Sequence, residues 1–116
     1  MKDFKKLIVW QKSMILVKDI YLIAKQLPQE EKFGFYSQIT RAAISIPSNI
    51  AEGSSRHTQK EFKRFLEIAL GSSFEVETQL LLIEKLKLAD DELLTIINQT
   101  CEVQKMLQGL MSKLVT

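Results

Sequence analysis

Hydrophobic residues recur along this chain every three or four positions, and strand-like alternation never lasts more than a few residues. Four stretches carry the helical rhythm. In the first, Trp10, Met14, Val17, Tyr21 and Ala24 form one row and Leu16, Ile20, Ile23 and Leu27 a second. Together they predict a helix over residues 8–26, with Lys12, Lys18, Asp19 and Lys25 on its polar side and Pro28 as its stop. After the connection QEEK, Phe33 and Phe35 are expected to anchor the next segment. A second helix is predicted over residues 34–52, ended by Gly53, Ser54 and Ser55. The third begins with a capping box, Thr58 as N-cap and Glu61 three residues on, and Phe62, Leu66, Ala69, Ser73, Val76, Leu80 and Ile83 carry it to about Leu86. Asp90, Asp91 and Glu92 place negative charge at the start of a fourth, whose inner face is Leu93, Ile97, Cys101, Leu107, Leu110, Met111 and Leu114. Connections this short make successive helices antiparallel, so the expected fold is all-α: one domain over residues 1–116, an up-down-up-down four-helix bundle.

The second helix stands apart from the others. At about 100° per residue, Phe35, Ile39, Ala42, Ala43, Ile46 and Ile50 make a core stripe, with Gln38, Arg41, Ser45, Asn49 and Glu52 as a polar stripe beside it. The remaining face holds Tyr36, Thr40, Ile44, Pro47, Ser48 and Ala51, none of them charged. A helix without a charged side is ordinarily buried all round, and a short chain has difficulty enclosing one of its own helices. A homo-oligomer is therefore expected, with Gln38, Arg41, Ile44, Ser45, Pro47, Asn49, Ala51 and Glu52 at the interface. Leu70, Phe74 and Leu81, a second greasy face on the third helix, are expected to join them. Arg41 and Glu52 lie about three turns apart, too far to pair with each other. Each is expected to meet a partner on another helix or subunit, with Glu75, Glu77 and the hydroxyls of Ser72 and Ser73 as candidates for Arg41. Gly71, Ser72 and Ser73 suggest a notch for close helix approach, and Pro47 predicts a bend near residues 43–47.

Composition changes this picture little. With 46% hydrophobic and 26% charged residues the chain reads as an ordinary soluble domain, with no membrane span, no secretory signal and a cytoplasmic location expected. Its one cysteine excludes an internal disulfide. Charge is distributed unevenly: residues 1–64 carry 12 Lys or Arg against 6 Asp or Glu, and residues 65–116 carry 4 against 8, for a net +2. The basic excess gathers at Arg56, Lys60, Lys63 and Arg64, with Lys2, Lys5 and Lys6 at the N-terminus. Multiplied around an oligomer, the Arg56 cluster makes a ring able to neutralise phosphates, the candidate nucleic-acid site; a solvated helix face is the alternative. No catalytic residue, metal site or cofactor is expected. His57 lies in a polar loop, Cys101 falls on the core rhythm, and neither a phosphate-binding glycine loop nor a Glu-x-x-His pair occurs.

The segments FKKLIVWQK, LPQEEKFGFYSQITRAAISIPSNIAEGSSR and EFKRFLEIALGSSFEVETQL resemble the 23S ribosomal RNA intervening-sequence protein family, also labelled S23 ribosomal protein, over nearly the whole chain. The resemblance implies a four-helix subunit that assembles as a homopentamer, has no established enzymatic activity, and has its coding sequence at times within ribosomal RNA intervening sequences. The chain is similar, too, to accessory proteins of diversity-generating retroelements, basic pentameric barrels that associate with RNA and a reverse transcriptase, although it is less basic than those. The partners so implied are further copies of itself and RNA or a nucleic-acid-associated protein. The alternative reading is a protein-interaction adaptor that binds no nucleic acid.

Overall fold

The computed structural model describes residues 3–89 and 92–114. Among them the chain forms four α-helices and no strand: α1 (Ile8–Ala24), α2 (Ser37–Ser54), α3 (Gln59–Lys85) and α4 (Leu93–Ser112). Among the described residues no helix is long and apolar enough to cross a membrane.

One apolar row from each helix fills the core. Every residue of the predicted α3 row, Phe62, Leu66, Ala69, Ser73, Val76, Leu80 and Ile83, is buried, and so are Ile39, Ala42, Ala43, Ile46 and Ile50 of α2. Of the two α1 rows, Leu16, Ile20 and Ile23 are buried, whereas Trp10 and Val17 are half-buried and Met14 is exposed. Buried hydroxyls turn back on their own helices, Ser13 donating to Trp10 O, Ser73 to Leu70 O and Thr100 to Ile96 O, so these hydroxyls are satisfied, whereas Gln79 Oε1 and Gln99 Oε1 are buried without a hydrogen-bond partner.

The limits of α2 differ from expectation at both ends. Its N-terminus is Ser37 rather than Gly34, because Gly34 leaves helical geometry (φ −101°, ψ −108°) inside a π-type turn spanning Lys32–Tyr36. Phe33 on that turn anchors nothing: 87% of it is exposed, with Lys32 lying 5.6 Å from its ring, while Phe35 and Tyr36 pack against the core. Pro47 sits inside α2, which stays α-helical through it, and the chain departs from helical geometry at Gly34. Nor does Gly53 terminate α2. It is buried within the helix, and a Cβ there would stand 2.6 Å from Phe65 Cβ and 3.0 Å from the Phe62 ring. Its lack of a side chain lets α3 approach.

Elsewhere the departures are small. At its C-terminus α1 stops at Ala24 instead of Gln26, the chain tightening into the turn toward Pro28. Thr58 caps α3 as predicted, its Oγ1 accepting from the Glu61 N–H at 3.1 Å, while the Glu61 carboxylate reaches back to the Thr58 hydroxyl at 3.2 Å rather than to its backbone N–H. Asp90 and Asp91 lie outside the described residues; Glu92, in the left-handed region at φ 62°, precedes α4.

The α2–α3 seam runs the length of α2, from Gln38 to Gly53, against Phe62 to Gln79 of α3. Gln79 Nε2 reaches Gln38 Oε1 at 3.5 Å near one end, Ser72 Oγ donates to Ser45 Oγ at 2.8 Å in the middle, and Gly53 meets Phe62 and Phe65 at the other. Asn49 completes the central contact, its amide nitrogen 2.8 Å from Ser45 O and 2.9 Å from Ser45 Oγ.

Gly53→Ala provides a test of the close approach. An alanine inside an ordinary helix gains roughly 1 kcal/mol in propensity over glycine, yet overpacking against a filled core costs about 1–3 kcal/mol. The expected outcome is a net loss of stability, read as a lower urea midpoint with unchanged slope. Gly71→Ala, where nothing stands within 4 Å of the added methyl, is expected to stabilise.

Candidate nucleic-acid interface

The first turns of α3 and the loop before it bring the predicted basic residues together. Arg56, Lys60, Lys63 and Arg64, with Phe65, Glu61 and Glu67, line an open depression of about 810 Å³. Helical spacing accounts for much of this, since Lys60 and Arg64 stand four apart and Lys63 lies between them on the same side.

The four cations are not equivalent. Arg56 Nη2 lies 2.8 Å from Glu52 Oε2, and the guanidinium sits 4.8 Å from the centre of the Phe65 ring, so its charge is matched and it is held over an aromatic face. Within the subunit, Glu52 thus pairs with Arg56 in the loop just past the end of its own helix rather than with a residue on another helix. Among the described residues Lys60, Lys63 and Arg64 make no ion pair. Of the two acids in the depression, Glu61 is drawn back to Thr58, whose hydroxyl is 3.2 Å from Glu61 Oε1. The positive end of α3 adds to the attraction for an anion. Phe65 is the residue that row-by-row reading of the sequence misses. It follows Arg64 directly, and places an aromatic ring in a cluster that otherwise shows only charge.

The N-terminal lysines lie elsewhere. Lys5 and Lys6 belong to a 3₁₀ turn, Phe4–Lys6, capped by Asp3 and packed on α1 and α2, and they do not line the depression; Lys2 is outside the described residues.

The predicted interface residues separate into three groups. Gln38, Ser45 and Asn49 line the α2–α3 seam, where Ser72 and Gln79 answer them inside the subunit. Pro47 is buried. Arg41, Ile44, Glu52, Phe74 and Leu81 are exposed, and Ala51 and Leu70 half-buried. Arg41 has no ion pair or hydrogen bond among the described residues, so the partners expected for it on α3 do not reach it. Between α1 and α2, Ile44, Pro47, Ser48 and Ala51 face Trp10, Met14 and Val17 across an apolar groove of about 360 Å³.

The family model for 23S rRNA-intervening sequence protein matches residues 5–109. The chain belongs to that family. A solved structure of a protein of unknown function from the S23 ribosomal protein family of Bacteroides thetaiotaomicron VPI-5482 is 30% identical to it. The match covers 91% of this chain and 96% of that one, with a TM-score of 0.83. No curated protein matches the chain.

Neither chemically notable side chain of this 23S rRNA-intervening sequence family member joins the depression. His57 is exposed in the loop before α3. Cys101 lies half-buried on α4 with its sulfur 3.7 Å from Glu77 Oε2, and Glu77 Oε1 accepts from the Gln104 amide at 2.9 Å. Burial pushes the Cys101 thiol up, and the Glu77 charge and hydrogen bond push it further, with Lys105 opposing. Among the described residues no cluster of His, Cys, Asp and Glu is arranged to hold a metal.

A thiolate is the reactive form, so Cys101 alkylation by iodoacetamide should rise with pH only above the range of a free thiol. Glu77→Gln removes a negative neighbour and is expected to shift that profile to lower pH. The rate–pH curve of both proteins, with mass spectrometry as readout, checks the direction.

Proposed function

We propose that this protein is a cytoplasmic, homo-oligomeric binding or scaffold protein without catalytic activity of its own, and that its ligand is RNA. The subunit is an up-down-up-down antiparallel bundle, a topology supported by the paired positions 38 with 79 and 45 with 72 along the α2–α3 seam. Self-association is supported by the exposed Arg41, Ile44 and Ser48 on a helix with almost no charge, and by Phe74 and Leu81 exposed on α3. The resemblance to pentameric proteins supports five copies.

The observation that carries the RNA reading is the cluster of three unpaired cations, Lys60, Lys63 and Arg64, around an open depression at the positive end of a helix, with a ring-bearing residue in its wall. One such patch is modest. Several on one particle act on a single strand together, and the effective concentration of the second contact raises the total affinity well above that of each. Three phosphates neutralised on a single strand correspond to a salt slope of roughly −2, or about a 20-fold loss of affinity between 50 and 200 mM salt per subunit engaged.

The test combines native mass with titration of a fluorescent single-stranded RNA. The expected result is an oligomer whose affinity falls steeply with salt. Lys60→Glu, Lys63→Glu and Arg64→Glu together should abolish binding at unchanged particle mass. Undiminished binding by that triple variant overturns the assignment of the patch, and a protein-interaction adaptor then becomes the better reading, one that the exposed Phe33 favours.

A further inference from the structure

Two apolar surfaces of this subunit are unlike in shape. One is concave: the α1–α2 groove of about 360 Å³, lined by Trp10, Met14, Val17, Ile44, Ser48 and Ala51 and by no charged residue. Its exposed walls, Met14 at 46% and Ile44 at 43%, have no partner helix over them. The other is a convex ridge on α3, where Phe74 and Leu81 each keep 45% of their surface and Leu70 stands half-buried beside them.

Their surrounding charges are opposite. Lys18, four residues beyond Met14, shares its side of α1, Lys25 follows just past the end of α1, and Arg41 is three residues before Ile44 on α2. All three are exposed and make no ion pair among the described residues. On α3 the ridge consists of two rows with seven-residue steps, Glu67, Phe74, Leu81 and Leu70, Glu77, Glu84, in which apolar and acidic residues interleave. The one lysine on α3 beyond Glu67 is Lys85, at its end. Glu67 and Glu84 make no ion pair among the described residues, while Glu77 is held by Gln104. A groove rimmed by cations and a ridge studded with carboxylates match in form and in sign.

We propose that the α1–α2 groove of one copy receives the Leu70–Phe74–Leu81 ridge of the next, with Lys18, Lys25 and Arg41 facing the α3 carboxylates. This rests on the self-association proposed above and specifies its geometry. Because groove and ridge are different patches of one surface, the contact is head-to-tail: each copy gives one face and receives with the other, and the series ends only when it closes on itself. A self-complementary contact, groove on groove or ridge on ridge, would stop at two copies. Arg41 then acquires the acidic partner that its own subunit withholds.

Two variants and their mixture decide the matter. Ser48→Arg puts a bulky charge into the groove at an exposed position, and Phe74→Lys replaces the crest of the ridge with a charge like those of the rim. Each alone is expected to run as a monomer by native mass spectrometry, with the helix content of the parent by circular dichroism. Mixed in equal amounts they should form a 1:1 dimer and nothing larger, since the intact ridge of one enters the intact groove of the other and both remaining faces are blocked. Leu81→Lys takes the place of Phe74→Lys should the latter lose helicity. A parent protein that is itself monomeric overturns the self-association reading. An oligomeric parent whose variants keep the parent mass, or whose monomeric variants stay monomeric on mixing, overturns the groove-and-ridge contact alone.

Discussion

The seam between α2 and α3 is what the rest of the subunit depends on. Gly53, bare of a side chain, allows Phe62 and Phe65 to close against the α2 backbone, and the Ser45–Ser72 hydroxyl contact holds the middle at 2.8 Å. Small residues on α2, Ala42 and Ala43 among them, keep the helix thin enough for its neighbours to surround its inner side. Such packing is intolerant of displacement, because interiors at crystal-like density have no slack to absorb even a methylene. By fixing how α2 sits on α3, the seam also fixes where the loop between them lies. Arg56, Lys60 and their neighbours emerge directly from that loop.

That position shapes the chemistry of the basic cluster. Of four cations that sequence alone treats as equal, one is committed to structure. Arg56 is bound to Glu52 and rests on Phe65, so it ties the end of α2 to the start of α3. The three that remain are on α3 itself and border the open depression, where their charge acts over about a Debye length and weakens with added salt. The guanidinium plane of Arg56 suits its fixed two-sided contact, and the ammonium groups of Lys60 and Lys63 act beside the unpaired Arg64 as mobile point charges.

How much of this is legible in the sequence depends on how local the determining interaction is. The α3 row from Phe62 to Ile83 and its Thr58 cap are legible because a helix's buried face and its first turn are written in residues three and four apart. The ends of α2 are not. Gly53 resembles a stop signal, and its true role depends on Phe62 and Phe65, which become neighbours only once α3 has folded back. The polar stripe of Gln38, Ser45 and Asn49 is recognisable as a stripe, but helical projection gives a direction and not an occupant, so the answering Ser72 and Gln79 stay invisible. In the site the basic cluster is plain from spacing. The Glu52–Arg56 pair is equally available at i, i+4, and a projection that sends Glu52 across the bundle overlooks it.

Phe33, the most exposed of the large apolar side chains among the described residues, stands on the irregular turn between α1 and α2, outside any regular α-helix. An endoprotease that favours aromatic residues finds a ready cleavage point there. Scission at that turn would divide the chain without dismantling it. The seventeen residues of α1 would stay seated through Leu16, Ile20 and Ile23, and the larger piece would retain the whole α2–α3 seam. Nicked in this way, the molecule would behave as two complementing fragments rather than as debris.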